Sequence, residues 1–190
     1  MSETRHSPGR PKNDGTPSGG QAQPGVGAML LVSWQGPVDP AWVDYNGHLN
    51  DAYYMVIFSY ATDGLMAHIG LDAAGRRALG HTMYTLEVHL NYVQEVHEGV
   101  DVEVRTQILG VDAKRVHVFH TLHRQDDGTL LATNEQMLSN IDASNPETGP
   151  KTAPFAAVVA DRLLPLAAAH AGLPRPANAG RSIALPVPRK

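Results

Sequence analysis

The apolar positions of the chain change their period along its length, and those changes divide it into elements. From Leu30 to Val38 the run LLVSWQGPV reads as a strand leaving through Gly-Pro, and the loop PAWVDYNGH follows it. In NDAYYMVIFSYATDGLMAHIG the residues Tyr54, Ile57, Phe58, Ala61 and Leu65 fall at i, i+3, i+4, i+7 and i+11, which draws one stripe on a 3.6-residue helix. Asn50 is placed to cap its start and Gly70 to stop it at C′. Such a helix is about 28 Å long at ~1.5 Å per residue, enough to cross a small domain. The period then drops to two: in DVEVRTQIL, Val102, Val104, Thr106 and Ile108 face one way and Asp101, Glu103, Arg105 and Gln107 the other. The same alternation in HTMYTLEVHLNYV, KRVHVFHTLHR and TLLATNEQMLSNID, with a turn at Asp126-Asp127-Gly128, predicts four consecutive strands paired as an antiparallel meander.

A strand, a long helix and four strands make an α+β domain in which a sheet wraps around one helix. From Pro154 onward the pattern predicts one short helix, FAAVVADRLLPLAAAHA, interrupted at Pro165, and a Pro-rich end, so the domain of residues 29–190 carries a C-terminal extension from about residue 150. Residues 1–28 are rich in Gly, Pro, Ser and Gln and nearly free of large apolar side chains, so they cannot offset their ordering entropy and are expected to form a disordered extension.

Composition narrows the function classes. The chain has 190 residues, 42% apolar and 18% charged, with a formal net charge of -4 and its Lys and Arg dispersed. No basic stripe is present to neutralise a phosphate backbone, so nucleic acid is not an expected partner. The absence of cysteine removes disulfides, thiolate metal sites and a cysteine nucleophile. No window reaches the ~20 apolar residues of a membrane span, and the first residues lack the apolar stretch of a secretory signal, so a cytoplasmic protein without a membrane partner is expected.

The chemistry concentrates in Trp42-Val43-Asp44-Tyr45-Asn46-Gly47-His48-Leu49-Asn50, where a strand hands over to the long helix. The first N–H groups of a helix have no internal partner, and with the helix dipole they suit the oxyanion formed when a carbonyl is attacked. Asp44 lies just upstream, in reach of the same carbonyl as general base or nucleophile. Gly47 permits close backbone approach, and His48 or Asn50 orients substrate or caps the helix. The competing reading is that Asp44, Asn46 and Asn50 only shape a turn and a cap. His117, His120 and His123 do not make a metal site, because with a period of two His120 points away from the others, and Asp44 with His48 is too few ligands for zinc. No metal or other cofactor is expected.

The loop and helix, DYNGHLNDAYY, resemble the hot-dog thioesterases of the 4-hydroxybenzoyl-CoA type, which carry D-x-x-G-[HIV]-x-N before an aromatic-rich helix. YTLEVHLNYVQEVHEGV and LLATNEQMLSNID match two further strands of that family, and the resemblance covers about residues 30–142. It implies a hot-dog fold, an acyl-CoA substrate, catalysis by Asp44 and an oxyanion held by the backbone near Asn50 and Asp51. A related branch takes its carboxylate from the central helix, which offers only Asp51 and Asp63. Asp63 is about 18 Å further along the axis at ~1.5 Å per residue, so Asp44 is favoured and Asp51 is second.

WVDYNGHLNDAYYM, YTLEVH, DAKRVHVFH, ATNEQML, the late APF and the terminal GRSIALP are together similar to the betainyl-CoA thioesterases of bacterial carnitine breakdown. That likeness implies hydrolysis of betainyl-CoA to glycine betaine and coenzyme A. A trimethylammonium group cannot donate hydrogen bonds and is held by aromatic faces and carboxylates, for which Trp42, Tyr45, Tyr53, Tyr54 and Tyr84, with Glu87 and Asp51, are candidates. Lys114 and Arg115 in a strand turn are candidates for the coenzyme A phosphates. The alternatives are a thioesterase for aromatic or fatty acyl-CoA and a non-catalytic acyl-CoA-binding protein. Because one helix cannot cover the whole sheet, and hot-dog domains pair with the site between subunits, a homodimer or homotetramer is expected.

Overall fold

The structure, a computed structural model, describes residues 29–185. The expectation for residues 1–28 lies outside the described residues. The elements run β1 (Leu31–Pro37), a 3-10 turn (Pro40–Trp42), α1 (Asp51–His68), α2 (Ala73–Leu79), β2 (His81–Tyr92), β3 (Asp101–Val111), β4 (Arg115–Arg124), β5 (Leu130–Asp142), β6 (Lys151–Thr152) and α3 (Ala157–His170). All pairings are antiparallel, in the order β1-β3-β4-β5-β2, with β6 on β5.

The sheet wraps around α1 as expected, but its order corrects the meander. Only β3, β4 and β5 follow one another; β2 pairs with β5 and forms the far edge. The connection after β2 explains this. It buries Val96 beneath the loop before α1, where Leu49 N–H donates to Val96 O at 2.8 Å, and Val38 N–H bonds Val100 O at 2.9 Å as the chain enters β3 beside β1. Alternation specifies the face of a strand, not its neighbour.

Helix α1 begins where Asn50 Oδ1 accepts Ala52 N–H at 3.0 Å, and ends where Gly70, with φ 88°, donates to Ala67 O and Leu71 donates to Met66 O, a Schellman closure. Its expected stripe is buried in two clusters. Tyr54, Ile57, Phe58 and Ala61 pack with Val102, Val104, Leu122, Leu131 and Ala132, while Leu65, Met66 and Ile69 pack with Ile108, Val116, Val118 and Leu138. Gly64 lets α1 lie against β1: a Cβ there would sit 1.8 Å from Ser33 O. A buried polar chain ties the same layers, from Ser33 Oγ to Thr106 Oγ1 (2.6 Å) to His120 Nδ1 (2.8 Å). His120 thus faces inward, while His117 bonds Glu135 on the outer face at 2.6 Å.

The C-terminal helix corrects a second expectation. α3 runs unbroken through Pro165. Proline forfeits one N–H bond, but Val159 and Leu163 before it and His170 after it are buried, and His170 Nδ1 accepts Ile108 N–H at 3.0 Å from the part of β3 beyond β1. Tertiary packing outweighs the local penalty. The short α2, which buries none of its residues, and the two-residue β6 were not read from the pattern. After α3 the chain returns across the outer face: Gln107 Nε2 on β3 donates to Pro174 O, and Gly180 N–H donates to Glu135 Oε2 on β5 at 2.7 Å. Among the described residues no helix is long and apolar enough to cross a membrane.

Candidate active site

The loop before α1 is a closed turn. Val43 and Leu49 form an antiparallel bridge, Asp44 N–H donates to His48 O at 2.9 Å, and Gly47 N–H donates back to Asp44 O at 3.0 Å. Gly47 has φ 76°, a left-handed conformation that a side chain resists. Inside the turn Asp44 Oδ1 accepts Asn46 N–H at 2.8 Å and His48 N–H at 3.3 Å, and Asn46 Nδ2 lies 3.5 Å from Oδ2. These donors, the Asn46 N–H foremost, hold the Asp44 carboxyl below its usual range, so it stands ionised at neutral pH. The turn is anchored from both sides: Asn50 N–H bonds Trp42 O, and His48 bridges to His97, whose ring lies 4.3 Å from its own.

The turn opens on a cleft of about 440 Å³ lined by Asp44, Asn46, His48, Leu49, Asn50, Asp51 and Tyr54, and across it by Tyr92, Val93, Gln94 and Glu95. His48 Nδ1 lies 3.4 Å from Glu95 Oε2. Tyr54 OH donates to Gln94 O (3.3 Å), Tyr92 OH donates to Asp51 O (3.1 Å), and the two rings meet edge to face at 5.2 Å. Burial, with Glu95 nearby, pushes the Tyr54 phenol up to about 12, so it remains a donor. At the helix start Ala52 N–H is shared by Asn50 Oδ1 and Asp51 Oδ1, and Tyr53 N–H goes to Asn50 O. Asn50 N–H is also occupied, which leaves Asp51 N–H as the helix-terminal donor without a partner among the described residues. The expectation of free donors near both Asn50 and Asp51 therefore narrows to Asp51.

The sequence candidates separate into three groups. Asp44, His48, Asn50, Asp51 and Tyr54 line the cleft, and Gly47 shapes its turn. Trp42 and Tyr53 stack on each other at 5.9 Å and 17°, with Trp42 buried against Tyr60, and so form the wall behind the loop, while Tyr45 is 97% exposed at its tip. Tyr84, Glu87, Lys114 and Arg115 lie outside the cleft of the single chain. Tyr84 and Glu87 pair with Ser139 and Met137 on the face away from α1. Arg115, held by Asp112 at 2.8 Å, pairs with Ser139, eight residues along β5 from Leu131. That is about 26 Å at ~3.3 Å per residue. Tyr92, Gln94 and Glu95 were missed as site residues, although the segment NYVQEVHEGV that holds them is one of the family matches.

What the cleft can do chemically is limited to a few operations: it offers an ionised carboxylate, an unpartnered helix-terminal N–H, a histidine beside a carboxylate and two tyrosines. The model of the thioesterase-like superfamily matches residues 38–163. Betainyl-CoA thioesterase of Pseudomonas aeruginosa is 52% identical over 159 residues, covering 84% of this chain and 98% of the relative. An L-carnitine dehydrogenase/betainyl-CoA thioesterase of Rhizobium meliloti is 38% identical over 157 residues, covering 83% of this chain, which spans only 30% of that longer protein. A Staphylococcus aureus protein solved in complex with CoA is 30% identical, with a TM-score of 0.73, covering 83% of this chain and 98% of that one. The chain belongs to the thioesterase-like superfamily and carries the hot-dog fold that its motifs implied.

Proposed function

We propose that the protein hydrolyses betainyl-CoA to glycine betaine and coenzyme A, with Asp44 as the catalytic carboxylate. The observation that carries this reading is that the ionised Asp44 and Asp51, whose N–H has no partner among the described residues, line one cleft. A thioester carbonyl between them meets an attacking group on one side and an oxyanion donor on the other, and the dipole of α1 favours the developing negative charge. Asp44 acts by direct attack, giving a mixed anhydride that water opens, or by taking a proton from the attacking water. In either route the C–S bond breaks and the coenzyme A thiol leaves. His48, set by Glu95, and Asn50, which caps α1, position the substrate and the helix start.

The charge of the cleft supports a cationic acyl group. Asp44, Asp51 and Glu95 line it with the rings of Tyr54 and Tyr92, so a trimethylammonium gains carboxylates and aromatic faces, while a fatty acyl chain would strip water from those carboxylates without return. Trp42 and Tyr53 serve this pocket by bracing the loop. Such a reaction belongs in the cytoplasm, where coenzyme A thioesters are used.

The active unit in this reading is a homodimer, or a homotetramer built from it, joined along β2. This twelve-residue strand is an open edge that exposes Tyr84, Leu86, Val88 and Tyr92, with Val93 just after it. Antiparallel pairing over its full length sets His81 opposite the partner's Tyr92. The end of the partner's sheet bearing Tyr84, Lys114 and Arg115 then comes beside this chain's cleft, where Arg115 of the partner subunit is placed to meet coenzyme A phosphates.

The test is release of free coenzyme A from betainyl-, acetyl-, hydroxybenzoyl- and long-chain acyl-CoA by the native protein and by Asp44→Asn. A thiol reagent reports it without background because the chain has no cysteine. Preference for betainyl-CoA that Asp44→Asn abolishes is the expected result; equal turnover of all four, or activity retained in Asp44→Asn, refutes the substrate or the site respectively. Label found on Asp44 after a single turnover in labelled water identifies the anhydride route with water opening the aspartyl carbonyl; water attack on the thioester leaves Asp44 unlabelled.

A further inference from the structure

The C-terminal strap crosses the outer face in a definite direction. Pro174 is fixed over β3 by Gln107, and Gly180 is fixed over β5 by Glu135, whose carboxylate also takes the bond from His117. In the sheet order the next strand is β2, the open edge. Gly180, Arg181 and Ser182 line a second cavity, of about 360 Å³, with Glu87 and His89 of β2. Beyond it Ile183 and Leu185 are 90% and 91% exposed, two branched apolar side chains almost uncovered by the described residues. Strands lie ~4.8 Å apart, and the four residues Ser182–Leu185 reach up to ~13 Å when extended. That is enough to pass β2 and lie on one strand beyond it.

We infer that Ser182–Leu185 is an exchanged arm, which crosses the β2 edge and packs Ile183 and Leu185 on the outer face of the second copy's β2. The inference rests on the dimer proposed above. In the full-length β2 pairing, Tyr84 of the partner subunit stands opposite His89, which lines the cavity where the arm leaves its own sheet. Tyr84 is on the outer face and 47% exposed, so it offers the arm an apolar ring in reach. The occupant is thereby a second copy of this chain rather than a different protein. The bonds of Gly180 to Glu135 fix the root of the arm and leave only its tip to be ordered on assembly, which lowers the entropic cost of the exchange.

The chain has no cysteine, so a pair of introduced thiols reports the exchange directly. Ile183→Cys combined with Tyr84→Cys is expected to give a disulfide-linked dimer on a non-reducing gel after mild oxidation, and neither single variant is expected to do so. Removal of residues 181–190 is expected to raise the dimer dissociation constant at least about tenfold, since two buried apolar side chains per arm are lost. A disulfide within one chain, or a native-mass dimer that neither cross-links nor weakens on truncation, overturns the arm and leaves the β2 dimer intact. A monomeric mass of the native chain by light scattering overturns the dimer itself, and the arm with it.

Discussion

Gly64 lies inside α1, one turn before its end, where glycine is a poor choice unless something needs the space. Relative to alanine it costs a helix interior about 0.8–1 kcal/mol. In Gly64→Ala that amount is regained, but the new Cβ stands 1.8 Å from Ser33 O and 2.9 Å from Ser33 C, where ordinary contact begins at 3.4 Å. The helix and β1 must separate by about 1.5 Å, and neither side is a flexible tip. β1 is pinned to β3 by its register and by Ser33 Oγ on Thr106. Overpacking of this kind costs ~1–3 kcal/mol or more, and two opposed backbones put it at the upper end. The net expectation is a loss of about 2 kcal/mol, read as a lower urea midpoint with unchanged slope and a melting temperature about 4–8 °C lower. The same displacement tilts the start of α1 against the turn that carries Asp44. A 1 Å misplacement costs up to ~10²-fold in rate, so kcat/KM falls even at temperatures where the variant is folded. A Gly64→Ala protein as stable and as active as the native one would refute the close approach of α1 to β1.

Other expectations follow from single contacts. Asp44→Asn keeps the turn, because the amide oxygen still accepts from Asn46 and His48, but lowers kcat/KM at least ~10³-fold with little change in melting temperature. Tyr92→Leu removes one aromatic face and raises KM for betainyl-CoA by about 2- to 30-fold, with a smaller effect on acetyl-CoA; equal effects would remove Tyr92 from cation recognition. Burial holds His120 neutral, its pKa pushed down to about 3, whereas in the unfolded chain a histidine titrates near ~6.5. Between those values the unfolded chain binds the extra proton, so stability is complete above about 6.5 and falls on acidification by up to ~1.4 kcal/mol per pH unit. His120→Gln is expected to flatten that slope in urea titrations between pH 7 and 4.5, while lowering stability at pH 7.5 through loss of the Thr106 bond.

The features that were legible in the sequence are those decided by residues close together in the chain. Asn50 and Gly70 bound α1 because a cap and a left-handed stop are chemistry of single positions, and the Asp44 turn is closed by bonds spanning five residues or fewer. The far wall of the cleft was not legible in that way. Tyr92, Gln94 and Glu95 are brought to the helix start from more than forty residues away, by the buried Val96 and the two tyrosine hydroxyl bonds. The aromatic candidates beside the helix show the same limit in reverse. Trp42 and Tyr53 have the right chemistry for a cation, but their stacking turns it into support for the loop, and no local pattern distinguishes the two uses.

The position of β2 is the most consequential of the non-local features, because it decides what the single chain leaves unfinished. Had β2 continued the meander, it would take the side of β3 that β1 holds, and Tyr84 and Glu87 would lie at the other end of the sheet, away from β5 and the strap. Placed instead along β5, β2 gives the sheet a long edge with exposed apolar side chains, and the strap running toward that edge ends in two more. Each of these exposures is unfavourable in water, and the proposed pairing of two copies along the edge covers them together. In the proposed dimer the same operation carries Arg115 of the partner subunit from the remote end of its sheet toward this chain's cleft. The position of β2 beside β5 therefore accounts for the open edge next to the strap and, in the proposed dimer, for substrate-binding candidates that lie outside the cleft of their own chain.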